Sequence, residues 1–500
     1  MSPAKKIILL VTGLLVLAAG VFAYFRISKL KAPARDPLDA VPSSAFCVIG
    51  ADNPHEAWNT LNHGNLVWDA LSVTDWAHEV AATAAETDSL LTADPEAAAL
   101  TRDQPCWISL NCTGADRFDY FISFSLSTAS AGDDAIAFLQ KHAKENTSAE
   151  KTWKQVKIFC FGNKNGQWCA ATEQGIVMIS GNEELIKSSI DQLEKGATLK
   201  NDKTFAQLMD TRENSATANV FVNYERFEVA VKRLSNESAY ERVENIARFA
   251  SWSELDLSFR PNAVLLNGYT SAPDSAAGFL SVMKGQTPQR IEAAGVLPAS
   301  TQNFTSFGIS NFGLVMDRYD AFLAKEGHSD ERRDHLAQLK RNYGYSPADN
   351  IGAWLGNEMV QAEIPSPGGG MVTIALFSAA NTAQARSSLS SLELKNDTSA
   401  TQPTADSSGY VIRKTPVPEM LSATFGPMFS DLAESYYTII NQFVVFAPDE
   451  NSLRSVIAAN INGTTLERNR SYAVFVTNIS SEASITVYVS PSRCENTLRE

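Results

Sequence analysis

A histidine followed directly by a glutamate occurs twice in this chain, and such a pair begins the HExxH motif of zinc hydrolases. The pairs are His55-Glu56 and His78-Glu79. The motif needs a second histidine four residues after the first, because residues i and i+4 share a helix face and can bind one metal ion. Asn59 and Ala82 stand at those positions. Neither pair therefore predicts a zinc site.

Two further histidines, His328 and His335, lie seven residues apart in the segment HSDERRDH. On a predicted helix over 329–342 they are about two turns apart and could share a face with Asp330 or Asp334. A helix with such mixed charges is typical of a solvated surface. We therefore predict no metal site here.

Other catalytic signatures are missing from the sequence. The chain contains no GxSxG nucleophile elbow, no Walker loop and no GxGxxG. Pairs of neighbouring acidic residues are common in an acidic chain and do not indicate acid–base catalysis. None of the few histidines lies in a context typical of a base that activates a nucleophile. The sequence predicts no catalytic, cofactor-binding or metal-binding residues, no cofactor, and a protein that is not an enzyme.

Three tryptophans of the first half, Trp58, Trp68 and Trp76, lie ten and eight residues apart along predicted helices. Such rings could form the floor of a groove for a carbohydrate or a peptide. The alternative is that they belong to the core. The second half has only Trp354, so an aromatic site would belong to the first half alone.

Six cysteines occur without a CxxC motif, which excludes zinc-ribbon and thioredoxin-like sites. Cys160 and Cys169 flank a predicted hairpin. A four-residue loop over 163–166 would place them opposite each other and allow a disulfide, whereas a turn at Asn165-Gly166 would pair Cys160 with Ala171. In the second register they would be two small apolar residues on a sheet. The register stays open.

The sequence pattern of the elements that would position a site occurs twice in the chain. Segments 182–205 and 449–472 each contain a polar break, an acidic helix start, an amphipathic helix, and a Thr-Leu turn into an aromatic residue. A second pair of matching segments begins at Val41 and at Leu297. In each segment a Pro-Ser or Pro-Ala turn leads into a strand and a helix. The offsets are 297 − 41 = 256 and 453 − 185 = 268. We interpret the chain as two tandem homologous domains.

Alternating apolar residues predict strands and a 3.6-residue spacing predicts helices, which gives an α+β fold of mainly antiparallel sheet with covering helices. The first copy ends in a predicted hairpin, WSELDLSFR and AVLLNGYTS, that the second copy lacks. We expect either that the natural chain continues or that the second copy lost these strands. Without them its sheet would expose an unpaired edge.

The amino terminus contains an uncharged apolar run over residues 7–25. A helix of this length would span ~28 Å, close to the ~30 Å hydrocarbon core of a membrane. We expect a transmembrane signal-anchor that makes the membrane a partner and leaves the bulk of the chain extracytoplasmic, in the periplasm. The alternative is a signal peptide cut after Ala23.

The formal net charge is −14. Phosphate recognition needs clustered lysine and arginine, and the sequence has no basic patch, so we predict no nucleic-acid partner.

The segment DPLDAVPSSAFCVIGADNPHEAWNTL resembles the opening of a family of uncharacterised bacterial envelope proteins, found mainly in the Bacteroidota. The resemblance covers residues 1–300 and, through the repeat, the second copy. It implies one amino-terminal membrane segment and a domain of unknown function, and it brings no activity and no site residues.

The predicted organisation is a short basic tail (1–6), the transmembrane helix (7–25), a linker (26–40), a first α+β domain (41–294), and a second, incomplete one (295–500). We expect a membrane-anchored extracytoplasmic protein that binds or scaffolds an envelope protein or polymer. The alternative is an envelope hydrolase whose site is scattered across the sheet.

Overall fold

The protein was analysed in a computed structural model. The structure describes these residues: 34–62, 65, 68–69, 78, 104–114, 117–126, 136, 140, 147–163, 166–234, 249–260, 263–272, 278–395, 404–405 and 409–490. The chain divides into two compact units, Met1–Gly278 and Phe279–Glu500. The predicted boundaries at 294 and 295, the tail 1–6 and the linker 26–40 stay predictions.

The α+β class with large antiparallel sheets is confirmed, because every strand pair that the structure describes is antiparallel. The fold class predicted from sequence was wrong in adding a transmembrane helix. Among the described residues no helix is long and apolar enough to cross a membrane. Residues 7–25 themselves lie outside the described part of the chain.

The first unit is built on one ten-stranded sheet with the order β10-β9-β8-β1-β2-β3-β7-β6-β5-β4. Its strands are β1 (Ala45–Ala51), β2 (Cys106–Cys112), β3 (Phe118–Ser125), β4 (Thr147–Trp153), β5 (Val156–Asn163), β6 (Gly166–Glu173), β7 (Ile176–Ser180), β8 (Ala218–Asn223), β9 (Trp252–Arg260) and β10 (Ala263–Ser271).

The described α-helices of the first unit are α1 (Pro54–Asn62), α2 (Glu183–Lys195), α3 (Lys203–Met209) and α4 (Tyr224–Leu234). Helix α2 forms because apolar residues recur at helical spacing between an asparagine cap, Asn182, and a left-handed Gly196. Its buried side packs over β5, β6 and β7.

The second unit is built on an eight-stranded sheet with the order β15-β16-β17-β18-β14-β13-β12-β20 and a two-stranded sheet, β11-β19. Its strands are β11 (Gln289–Arg290), β12 (Asn303–Gly308), β13 (Leu355–Pro365), β14 (Met371–Ala379), β15 (Thr404–Ala405), β16 (Val411–Lys414), β17 (Tyr436–Ile440), β18 (Phe443–Ala447), β19 (Glu482–Ala483) and β20 (Ile485–Val489).

Helices cover both faces of this sheet. They are α5 (Phe312–Glu326), α6 (Ser329–Tyr343), α7 (Thr382–Lys395), α8 (Met420–Phe425), α9 (Glu450–Ile461) and α10 (Arg470–Val476). One core cluster takes residues from α5 to α8 and from one face, including Phe377. The other takes residues from α9 and α10 and from the opposite face, including Phe304.

The two sheets share the same strand order over eight strands. Strands β8-β1-β2-β3-β7-β6-β5-β4 of the first unit correspond, one by one, to β20-β12-β13-β14-β18-β17-β16-β15 of the second. Chain order is preserved as well, apart from the short β11 and β19. The first sheet then adds β9 and β10 beyond β8, whereas the second ends at β20 within the described residues.

Candidate functional site

The helical element beside β8 recurs beside β20 in atomic detail. The side chain of Asp202 caps α3 by accepting from the backbone N–H groups of Thr204 and Phe205. Asn469 caps α10 in the same way, accepting from Ser471 and Tyr472. Because the caps match, side chains can be compared position by position.

A constant offset relates the two sets of residues. Phe205 and Tyr472 differ by 472 − 205 = 267 residues. Phe205 packs on Phe221 of β8 with ring centroids 4.9 Å apart, and Tyr472 packs on Tyr488 of β20 at 5.2 Å. The offset of the strand residues is again 488 − 221 = 267. The two strands therefore occupy equivalent places beside equivalent helices.

In the first unit, strand β9 covers this place. Asn223 at the end of β8 pairs with Trp252, the first residue of β9. The ring of Trp252 lies 5.1 Å from the ring of Phe205, and its Nε1–H donates to the Asp202 carboxylate at 3.2 Å. Helix α3 also packs on β9 and β10. The added hairpin thus closes both the sheet edge and the side of the helix.

In the second unit the corresponding edge is open within the described residues. The Ser490 N–H donates to Gln302, and the Ser484 C=O accepts from Gly308. Alternate residues of an antiparallel strand point their backbone groups to the same neighbour. Residues 484, 486, 488 and 490 therefore face β12. The N–H and C=O groups of Ile485, Val487 and Val489 face the free side.

The exposed side chains of the second unit show which residues a hairpin equivalent to β9–β10 would cover. Leu208 of α3 is 5 % exposed, whereas Phe475, at the equivalent place of α10, is 46 % exposed. Val487 and Val489 are 63 % and 52 % exposed, although their counterparts in β8 are only partly exposed. We call the backbone of β20 together with the side chains of Phe475, Val487 and Val489 the open edge. It combines hydrogen-bonding groups that no described strand uses with exposed apolar side chains on both faces of β20. Such a combination is typical of protein interaction sites.

The predicted cysteine pair lies at a hairpin of the first unit. Strands β5 and β6 pair with Cys160 opposite Cys169, and the two residues form a disulfide. The Glu183 carboxylate lies near the sulfur atoms. That carboxylate binds the ammonium groups of Lys151 and Lys187, and oxidised sulfurs are not thiolate ligands. The arrangement is a covalent cross-link beside an ion-paired glutamate.

The three predicted groove tryptophans are described only in part. The rings of Trp58 and Trp68 contact each other edge to face, 6.0 Å apart. Trp68 is 8 % exposed and Trp58 is partly buried. Trp76 lies outside the described residues. The groove stays a prediction.

Two acidic side chains of the first unit lie in its interior, and sequence reasoning did not find them. Glu254 is fully buried, and its carboxyl oxygens have no hydrogen-bond partner among the described residues. Burial, and after it the neighbouring Asp256 carboxylate, raises the pKa of Glu254 to about 7. Asp256 accepts hydrogen bonds from the Asn219 amide and the Glu213 N–H. Alternation along β9 gives no signal for this burial, because Glu254 and Asp256 read as a solvent face.

His335 of α6 borders a surface depression, whereas His328 precedes the helix and does not line it. The depression is lined by Glu331, Asp334, His335, Ala337, Gln338 and Arg341. His335 contacts the Glu419 carboxylate at 2.8 Å, whereas His328 contacts Glu331 at 3.5 Å. The two imidazoles thus have different acidic partners, and the described contacts do not bring them together.

Comparison with known proteins yields one match. A family model described as "Protein of unknown function (DUF3352)" matches residues 129–394, which include strands of both units. No curated protein and no solved structure matches the chain.

Proposed function

Because this chain belongs to the DUF3352 family of proteins of unknown function, we propose its role from the site: a non-catalytic binding or scaffolding protein that engages a partner at the open edge. The observation that carries the proposal is the contrast between equivalent edges. The β8 edge is closed by β9 and its helix side chain, Leu208, is buried. The β20 edge has no outer neighbour among the described residues, and Phe475 is exposed. Monomeric proteins rarely leave such an edge unprotected.

Strand β20 also lacks the usual protection of an edge. Natural edge strands carry lysine, proline or a bulge that discourages pairing. The segment from Ile485 to Val489, ITVYV, contains no charged residue and no proline. A partner can therefore approach this strand without desolvating a charge.

The proposed location is extracytoplasmic, in the periplasm of a bacterium of the Bacteroidota type. The disulfide between Cys160 and Cys169 supports an oxidising compartment, because cytosolic thiols are kept reduced. The resemblance of the opening segment to bacterial envelope proteins agrees with this location. Thiol trapping in intact cells tests it: we expect Cys160 and Cys169 to be protected from alkylation until a reductant is added.

Photo-crosslinking tests the binding role. A benzophenone amino acid replaces Phe475 in one variant and Met371 in another; Met371 lies on β14 of the same unit and is 42 % exposed. We expect a discrete adduct with an envelope component from position 475 and none from position 371. Equal labelling from both positions, or no adduct from position 475, would overturn the proposal.

A second candidate function, an envelope hydrolase, rests on the Glu254–Asp256 pair. A carboxyl with a pKa near 7 is suited to general acid–base catalysis. Both side chains are buried, however. The test is hydrolysis of envelope polymers, such as peptidoglycan, by the protein and by Glu254→Gln. Activity that is lost in the variant would favour this alternative.

A further inference from the structure

We propose that the open edge accepts an extended segment of a partner polypeptide, which adds to β20 as an antiparallel strand and has the residue pattern of β9. This inference rests on the proposed binding function and names the class of partner. It draws on the first unit, where an equivalent edge is seen with its covering strand in place.

The pairing of β8 with β9 specifies the direction and register of the added strand. Phe221 pairs with Glu254, Val220 with Leu255, and Asn223 with Trp252. Adding the offset of 267 to the residues of β8 gives the corresponding positions on β20. The partner residue in the place of Glu254 then lies opposite Tyr488, that of Leu255 opposite Val487, and that of Trp252 opposite Ser490.

The backbone groups of the two edges match in direction. Tyr224 N–H donates to Ser251, so alternate residues of β8, including Val220 and Val222, point their N–H and C=O groups toward β9. Their counterparts are Val487 and Val489, which face the free side of β20. An added strand would thus find its hydrogen-bonding groups in the arrangement that β9 uses.

The side chains define the chemistry of the partner. In the first unit Trp252 packs on Phe205 and donates to the cap residue Asp202. In the second unit the ring of Tyr472 takes the place of Phe205. The Asn469 Oδ1 caps α10, so its amide NH2, a donor, takes the place of the Asp202 oxygen that accepts from Trp252. The partner therefore carries an aromatic side chain at its first position, and this side chain does not need a donor. Its fourth position, that of Leu255, is apolar and lies beside Val487.

The polar positions of β9 place fewer requirements on the residues of the partner. Asp256 of β9 pairs with Asn219 and accepts from its side-chain amide. The position equivalent to Asn219 is Thr486, which has no side-chain amide. The partner does not need a carboxylate there. The recognised pattern is aromatic-x-x-apolar-x-apolar in an extended conformation. In strand addition the main-chain hydrogen bonds give affinity, and alternate side chains give specificity.

A synthetic peptide with the sequence of residues 251–259, SWSELDLSF, serves as the probe for the full chain. We expect saturable binding by fluorescence anisotropy at concentrations below about 1 mM. Val487→Pro removes one N–H on the free side, a position where edge strands tolerate proline. It is expected to weaken binding at least about tenfold. Val487→Thr keeps the N–H and changes only the side chain beside the apolar fourth position, so it should weaken binding less than Val487→Pro does.

Two peptide variants separate strand addition from simple apolar contact. Replacing the tryptophan by alanine removes the aromatic anchor, and N-methylation at alternate residues blocks the backbone ladder while keeping every side chain. Both should weaken binding at least about tenfold. Binding that survives N-methylation, or that is equal in Val487→Pro and the parent protein, would overturn the inference.

The remaining outcomes are also decisive. Absence of binding at about 1 mM would overturn the strand assignment, and an adduct from position 475 would still support the proposed binding function. If sedimentation shows a dimer that Val487→Pro converts to a monomer, the occupant is a second copy of this chain. That result would overturn the assignment to a separate partner.

Discussion

Leu208 and Phe475 hold equivalent places on α3 and α10, but the first is buried and the second is 46 % exposed. The helices have matching caps and pack beside equivalent strands. The difference arises outside the helices, because α3 also packs on β9 and β10. The same helical position is therefore core in one unit and surface in the other.

This relationship predicts unequal costs for the same kind of substitution. Leu208→Ala should lower the free energy of unfolding of the first unit by about 2–5 kcal/mol, because it leaves a cavity in the core. Phe475→Ala should cost the second unit less than about 1 kcal/mol, because much of the ring is already in water. Denaturant unfolding of the two variants measures both values. Equal costs would show that Phe475 is covered in solution.

Reduction of the disulfide should weaken the first unit. Cys160 and Cys169 are separated by 9 residues, so the cross-link removes loop entropy from the unfolded chain. Replacing both by serine should cost about 2–3 kcal/mol on the chain-entropy model. A reductant should lower the stability of the parent protein and leave the double variant unchanged. A reductant effect of equal size in the double variant would contradict this account.

The buried Glu254 predicts a stability that falls with rising pH. Its pKa is raised from 4.5 to about 7 in the folded state. Between these values the folded protein binds a proton that the unfolded chain has lost, so the contribution of this group is full below pH 4.5 and is lost as the pH rises through 7. The loss is on the order of 1–3 kcal/mol. In Glu254→Gln this part of the pH dependence should disappear, as thermal melts at pH 4.5 and 7.5 would measure.

Gly50 lies against the ring of Trp107. A Cβ atom on Gly50 would stand 2.3 Å from a ring carbon of this buried tryptophan. Gly50→Ala should therefore destabilise the first unit by about 1–3 kcal/mol. Gly313→Ala is the control, because it lies in the first turn of α5, where its Cβ meets only the Asn311 side chain at 3.5 Å. The control should be neutral or slightly stabilising. Similar melting temperatures for both variants would contradict the close packing.

Part of the architecture could be read from local patterns. The period-2 strands, the helical spacing of α2 and α9, and the Thr-Leu turns into Phe205 and Tyr472 are visible in the sequence because secondary structure imposes its own repeat. An unpaired edge in the second copy was expected from the sequence, and within the described residues β20 has no outer neighbour. The residues of the open edge were not predicted.

What only the tertiary structure decided depends on pairing between distant segments. The sequence left two registers for the hairpin of Cys160 and Cys169, because both loops were compatible with its residues, and the structure places these residues opposite each other. No sequence pattern singled out Glu254, but the sheet places this carboxyl in the interior. Leu208 and Phe475 differ in exposure for the same physical reason. A local repeat specifies which residues share a face, whereas burial depends on which other segment covers that face.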